Sequence, residues 1–225
     1  MASVRGPHAG GPVLAAGEDL ERATAAMILV HGRGATAESI LSLANELPQP
    51  GFAYMAPQAS GNTWYPFSFL EPIERNEPYL SSALDRLTAL LERTSQAGIP
   101  PERTILLGFS QGACLALEFA ARNAQRFGGL VGLSGGLIGP EGTPRDYPGS
   151  LAGTPVFLGC SDVDFHIPRE RVVESGQVLE RLGGEVTVRL YPNMGHTVNQ
   201  DELGQVRSIM AALAPTPAPA PLHTG

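Results

Sequence analysis

Short, nearly uninterrupted apolar runs alternate with longer stretches of helical period through most of the 225 residues, and this alternation limits the fold more than any other feature. Residues 25–31 (Ala-Ala-Met-Ile-Leu-Val-His), 52–56, 104–109, 129–133, 154–159 and 185–191 have strand character. Between them, residues 37–46, 79–97, 111–125, 168–182 and 200–213 have helical spacing. In the second of these, Leu80, Ala83, Leu84, Leu87, Leu90 and Leu91 form one apolar stripe. Pro168 suits the first position of the fourth helix, and Asn199 with Glu202 predicts a capping box on the last. A strand apolar on both faces has to be covered on both faces, as in parallel sheets whose crossover helices pack on either side. The pattern therefore predicts one α/β domain over residues 1–214, a mostly parallel central sheet flanked by helices. Residues 57–78 interrupt it with a long loop rich in proline and aromatics, and loops of that length in compact domains are usually functional or disordered. Residues 215–225 form a Pro/Ala-rich tail expected to stay extended and unpacked.

Composition removes several classes of function. A 43% hydrophobic content supports a sizeable core, yet the longest apolar run, Ala25 to Val30, is far short of the roughly 20 residues that span a bilayer. A net charge of −7 disfavours nucleic acid or an anionic membrane as the main partner. All 15 basic residues are arginine, so Schiff-base chemistry, a Ser–Lys dyad and a phosphate-loop lysine are all excluded. Cys114 and Cys160 are too few for a disulfide scaffold or a zinc site, and His166 near Asp162 and Asp164 is a weak ligand group, so no metal or cofactor is expected. Residues 1–20 carry no basic start followed by an apolar stretch, which predicts a cytoplasmic setting.

The segment Gly108-Phe109-Ser110-Gln111-Gly112 fits a G-x-S-x-G nucleophile elbow. In a chain with 27 glycines the pattern alone is weak; its setting, a strand leading in and a helix leading out, gives it weight. A serine held in a strained turn needs small neighbours two positions away, which Gly108 and Gly112 supply. Serine also needs a base, itself oriented by a third group. His196 follows the strand 185–191 and so arrives at the same sheet edge as Ser110, whereas His223 lies in the tail. The acid belongs after an intervening strand, where both Asp162 and Asp164 stand, and spacing does not separate them. For the oxyanion, the backbone N–H of Gln111 and that of Arg33, in His31-Gly32-Arg33-Gly34, are the candidate donors.

Taken together, Leu29-Val30-His31-Gly32-Arg33-Gly34, Gly108-Phe109-Ser110-Gln111-Gly112-Ala113, Asp164 four residues before Pro168, and Gly195-His196 resemble the phospholipase/carboxylesterase family of α/β-hydrolases. That family includes acyl-protein thioesterases, and the similarity runs from about residue 24 to 213. The resemblance implies an α/β-hydrolase fold with minimal or no cap, and points to Asp164 as the acid. It also implies that the loop carrying Trp64, Tyr65 and Phe67 flanks the site, where these aromatics would meet an acyl or aryl group or else pin the loop to the core. The implied activity is hydrolysis of small carboxylic esters of short to medium acyl chain by a Ser110–His196–Asp164 triad, in a monomer or homodimer. An acyl-protein thioesterase or lysophospholipase with the same triad is the nearest alternative, and a non-catalytic ligand receptor on the same fold is a more distant one. The chain departs from the family at Gly159-Cys160-Ser161, where a His-Gly pair is common.

Overall fold

The structure, a computed structural model, describes residues 5–213. Seven strands form one sheet: β1 (Val13–Gly17), β2 (Ala25–Val30), β3 (Phe52–Pro57), β4 (Thr104–Phe109), β5 (Gly129–Leu133), β6 (Pro155–Ser161) and β7 (Glu185–Tyr191). Their order across the sheet is β1-β3-β2-β4-β5-β6-β7; β1 runs antiparallel to β3 and all other neighbours are parallel. The expected mostly parallel sheet is present. Its antiparallel edge strand β1 is an addition, because Val-Leu-Ala-Ala-Gly is short, half-exposed and lacks a strong alternating signal.

The helices are α1 (Ala37–Leu41), α2 (Leu43–Glu46), α3 (Tyr79–Gln96), α4 (Gln111–Arg122), α5 (Arg169–Arg181) and α6 (Gln200–Ala211). Two local expectations need correction. The stretch 37–46 is two short helices meeting at Ser42, and Pro168 is the N-cap of α5, with extended ψ of 128°, one residue before the helix begins. The capping box on α6 is present: Asn199 Oδ1 accepts from Glu202 N at 2.9 Å, and Glu202 Oε2 accepts from Asn199 N at 2.8 Å. The tail 215–225 lies outside the described residues.

The strands are apolar throughout because successive side chains feed two cores. Met27 and Leu29 of β2, Ile105 and Leu107 of β4, and Phe157 of β6 face α1 and α6. Ile28 and Val30, Leu106, and Val156 and Leu158 face α3, α4 and α5. The chain leaves β2 to one side to make β3, then crosses to the other side to make β4. The order of the sheet thus reverses at β2 and β4, and the crevice beyond the carboxyl ends of strands at such a point is where α/β sheets bind ligands.

Candidate active site

Ser110 lies at that crevice, between β4 and α4, with φ 55° and ψ −120°. This left-handed conformation is strained for a residue with a Cβ. Its surroundings enforce it: Ser110 N donates to Leu133 O at 2.9 Å and Cys114 N donates to Ser110 O at 3.0 Å. The flanking glycines have a steric cause. A Cβ on Gly112 would fall closer than 3.0 Å to the carbonyl oxygens of Val30 and His31, and one on Gly108 would strike the Gly112 carbonyl. The turn closes only without those side chains.

His196 comes from the loop after β7. Its Nε2 lies 2.9 Å from Ser110 Oγ and its Nδ1 2.6 Å from Asp164 Oδ2. The Phe109 and His166 rings pack on the imidazole at centroid distances of 5.0 Å each. Asp164 comes from the loop after β6 and its side chain is wholly shielded from solvent. Its Oδ1 accepts from the backbone N–H groups of His166 (2.8 Å) and Ile167 (3.1 Å). Burial pushes the Asp164 carboxyl up, but hydrogen bonds from His196, His166 and Ile167 outweigh that and hold it below its ordinary value. Asp162 turns elsewhere: its Oδ1 accepts from Asn193 N at 2.9 Å, bracing the turn that leads to His196. Ser161, in the departing Gly-Cys-Ser segment, ties the two loops together by accepting from Val163 N and Gly195 N, both at 3.2 Å.

The two residues predicted to supply the oxyanion donors are Gln111, which follows Ser110, and Arg33, whose neighbour Gly32 packs against Ser110. Gln111 is the first residue of α4, where a backbone N–H has no partner within the helix. Its side chain clamps the long loop, accepting from Trp64 N at 2.9 Å and donating to Tyr65 O at 2.8 Å. Gly32, next to Arg33, packs so close that a Cβ there would sit 3.3 Å from Ser110 Cβ. The N–H groups of Gly34 and Ala35 are bonded, to Asn62 O and Gly32 O, whereas Arg33 N–H carries no hydrogen bond among the described residues. His31 is structural: its Nε2 accepts from Ala59 N at 3.1 Å, its Nδ1 donates to Gly32 O at 2.8 Å, and burial lowers its pKa.

A cavity of about 450 Å³ opens over Ser110 and His196. Tyr65 and Phe67 are on its wall, and so is Arg33. Trp64 is not, which corrects its assignment to substrate binding. The indole is 0% exposed, its Nε1 donates to His31 O at 2.8 Å, and its ring packs against His31 and His8. It pins the loop to the core. Phe69, Cys114, His166 and Ile167 also line the cavity without having been placed there from sequence. Helical spacing puts Cys114, four residues after Ser110, on the same face, and His166 and Ile167 belong to the Asp164 loop. Phe165, between Asp164 and His166 in that loop, is 98% exposed. Among the described residues no three His, Cys, Asp or Glu side chains gather as a metal site, and no helix is long and apolar enough to cross a membrane.

With this geometry in place, residues 13–214 match the sequence profile of the phospholipase/carboxylesterase family. The chain belongs to that family. Members of the phospholipase/carboxylesterase family are serine hydrolases, and this chain is one of them. A family structure from Dyadobacter fermentans, a phospholipase/carboxylesterase, superposes with a TM-score of 0.87 at 39% identity, covering 92% of this chain and 99% of that one. The acyl-protein thioesterase 1 of Emericella nidulans is 25% identical over 224 residues, covering 87% of this chain and 93% of its own. That of Gibberella zeae is 32% identical over 128 residues, and there the match spans about half of the relative, 54%. A carboxylesterase from Bacillus cereus shares the fold at a TM-score of 0.70 and 17% identity.

Proposed function

We propose that this member of the family hydrolyses small carboxylic esters of short to medium acyl chain through an acyl-enzyme on Ser110. The observation that carries the reading is the unbroken hydrogen-bond chain from Asp164 through His196 to Ser110, ending at the floor of an open cavity.

A buried carboxylate accepting from His196 Nδ1–H leaves the lone pair of Nε2 facing the serine hydroxyl. His196 takes the proton as Ser110 Oγ bonds to the ester carbonyl carbon, and the imidazolium is stabilised by Asp164. The N–H groups of Gln111 and Arg33 receive the oxyanion. The C–O bond to the alcohol then breaks, and the alcohol departs with the proton from His196. Water, deprotonated by the same imidazole, attacks the acyl-enzyme, and Ser110 leaves with that proton. A cavity of about 450 Å³ walled by Tyr65, Phe67 and Phe69 holds a small ester with an apolar chain. Thioester hydrolysis is a second reading, favoured by the similarity to acyl-protein thioesterases; the carbonyl chemistry is the same.

A fluorophosphonate probe on the folded protein, with peptide mapping, tests the nucleophile; labelling is expected at Ser110 and lost in Ser110→Ala. Turnover of p-nitrophenyl esters of graded length, beside a matched thioester and a lysophospholipid, tests the substrate. Ser110→Ala is expected to lose about 10³-fold or more in kcat. Retention of wild-type esterase activity by that variant would refute the proposal, and absence of labelling would favour a non-catalytic receptor.

A further inference from the structure

The chain carries 22 acidic residues against 15 basic ones, yet among the described residues no acidic side chain lines the cavity. Asp164, behind the wall, is sealed from solvent and turned to His196. Apart from the imidazoles of His166 and His196, the charge on the wall is the guanidinium of Arg33. Among the described residues no carboxylate pairs with it. Its neighbour in space offers a contrast: Arg75, lying over the Phe67 ring, is neutralised by Glu71 at 2.8 Å.

Arg33 is nevertheless held in place. Nη1 donates to Pro66 O (2.9 Å) and reaches Thr63 Oγ1 (3.4 Å), while Nη2 donates to Phe67 O (2.6 Å). The guanidinium carbon lies 5.9 Å from the centre of the Tyr65 ring. Carbonyls fix the group without cancelling its charge. Of its five donors, Nε–H and one on Nη2 carry no hydrogen bond among the described residues, and Nε and Nη2 together form one edge of the guanidinium plane. Such an edge matches the two oxygens of a carboxylate.

We propose that Arg33 binds an ionised carboxylate on the substrate, so that the preferred ester carries a second, free carboxylate in its acyl or its alcohol part. The inference deepens the ester-hydrolase reading and rests on it. An acidic molecule with one uncompensated cation inside its cleft draws an anion to the cleft and not to the surrounding surface.

The test compares matched substrates differing in one charge: monoethyl glutarate against ethyl pentanoate, and 4-carboxyphenyl butanoate against phenyl butanoate. In at least one pair the charged ester is expected to be favoured about tenfold in kcat/KM at low ionic strength, an advantage that shrinks as salt is raised. Arg33→Gln should erase that ratio, whatever it does to both substrates together through the oxyanion loop, and Arg33→Lys should keep part of it. A ratio the same in wild type and Arg33→Gln would overturn the proposal, as would the absence of any charge preference in wild type, which does not depend on a variant folding. In either case turnover of the neutral esters leaves ester hydrolysis standing. Failure to turn over any of the four substrates overturns both.

Discussion

At the scale of single residues, the two aspartates after β6 divide their work by geometry. Asp164 accepts from His196 Nδ1, whereas Asp162 accepts from a backbone N–H that an asparagine oxygen serves equally well. Asparagine at 164 would offer an amide N–H to Nδ1 and favour the tautomer whose Nε2 carries the proton, which cannot take one from serine. Asp164→Asn is therefore expected to lower kcat by about 10³–10⁴-fold and Asp162→Asn by less than about tenfold, measured by initial rates on one ester. The reverse order would move the acid to Asp162. Much of this site was legible in the sequence because the elbow depends on absent side chains, which glycine announces. The choice between the aspartates was not legible from spacing, since both stand in the same short loop. Trp64 misled because an aromatic in a loop beside a cleft gives no sign of which way it turns; here Gln111 and His31 turn it inward.

At the scale of elements, α6 carries in its first turn the residue that explains the glycine at 159. Gly159 of β6 has no side chain because Glu202 occupies that space: a Cβ there would strike the Glu202 carboxyl. Glu202 is wholly buried, and one of its oxygens has no hydrogen-bond partner. Burial pushes its pKa up from 4.5 to about 7, against the hydrogen bond from Asn199 N–H, with the nearby Asp201 charge adding to the rise. Between those two values the folded chain holds a proton that the unfolded chain releases, so this group's contribution to stability falls as pH rises through the window. Glu202→Gln keeps the capping oxygen and removes the titration. The Tm of the variant should drop less than that of wild type between pH 5 and pH 8, and parallel changes would show that Glu202 does not titrate there. The capping box itself was plain in sequence; that its carboxylate would be desolvated was not, because the neighbour that buries it lies on a strand more than forty residues earlier.

At the scale of the whole molecule, the sheet separates two cores that share little besides its backbone. Leu87 of α3 lies in one and Leu203 of α6 in the other. Truncation of either to alanine is expected to cost about 2–5 kcal/mol, and the double variant should match the sum to within about 0.5 kcal/mol in urea unfolding. A larger discrepancy would mean that strain passes through the sheet. The layered architecture was legible because strands apolar on both faces demand cover on both. The edge strand β1 escaped because an edge needs only one apolar face, and a short one at that. The layout also divides labour. The proposed reacting groups stand at the carboxyl ends of β4, β6 and β7, while much of the cavity wall comes from the 57–78 loop and from His166 and Ile167 of the Asp164 loop. Phe165 stands in the open between two residues fixed by their neighbours, Asp164 and His166. Substitution at position 165 therefore alters the exposed surface of the loop that holds the acid, while the hydrogen bonds that Asp164 accepts from His166 N–H and from His196 stay in place.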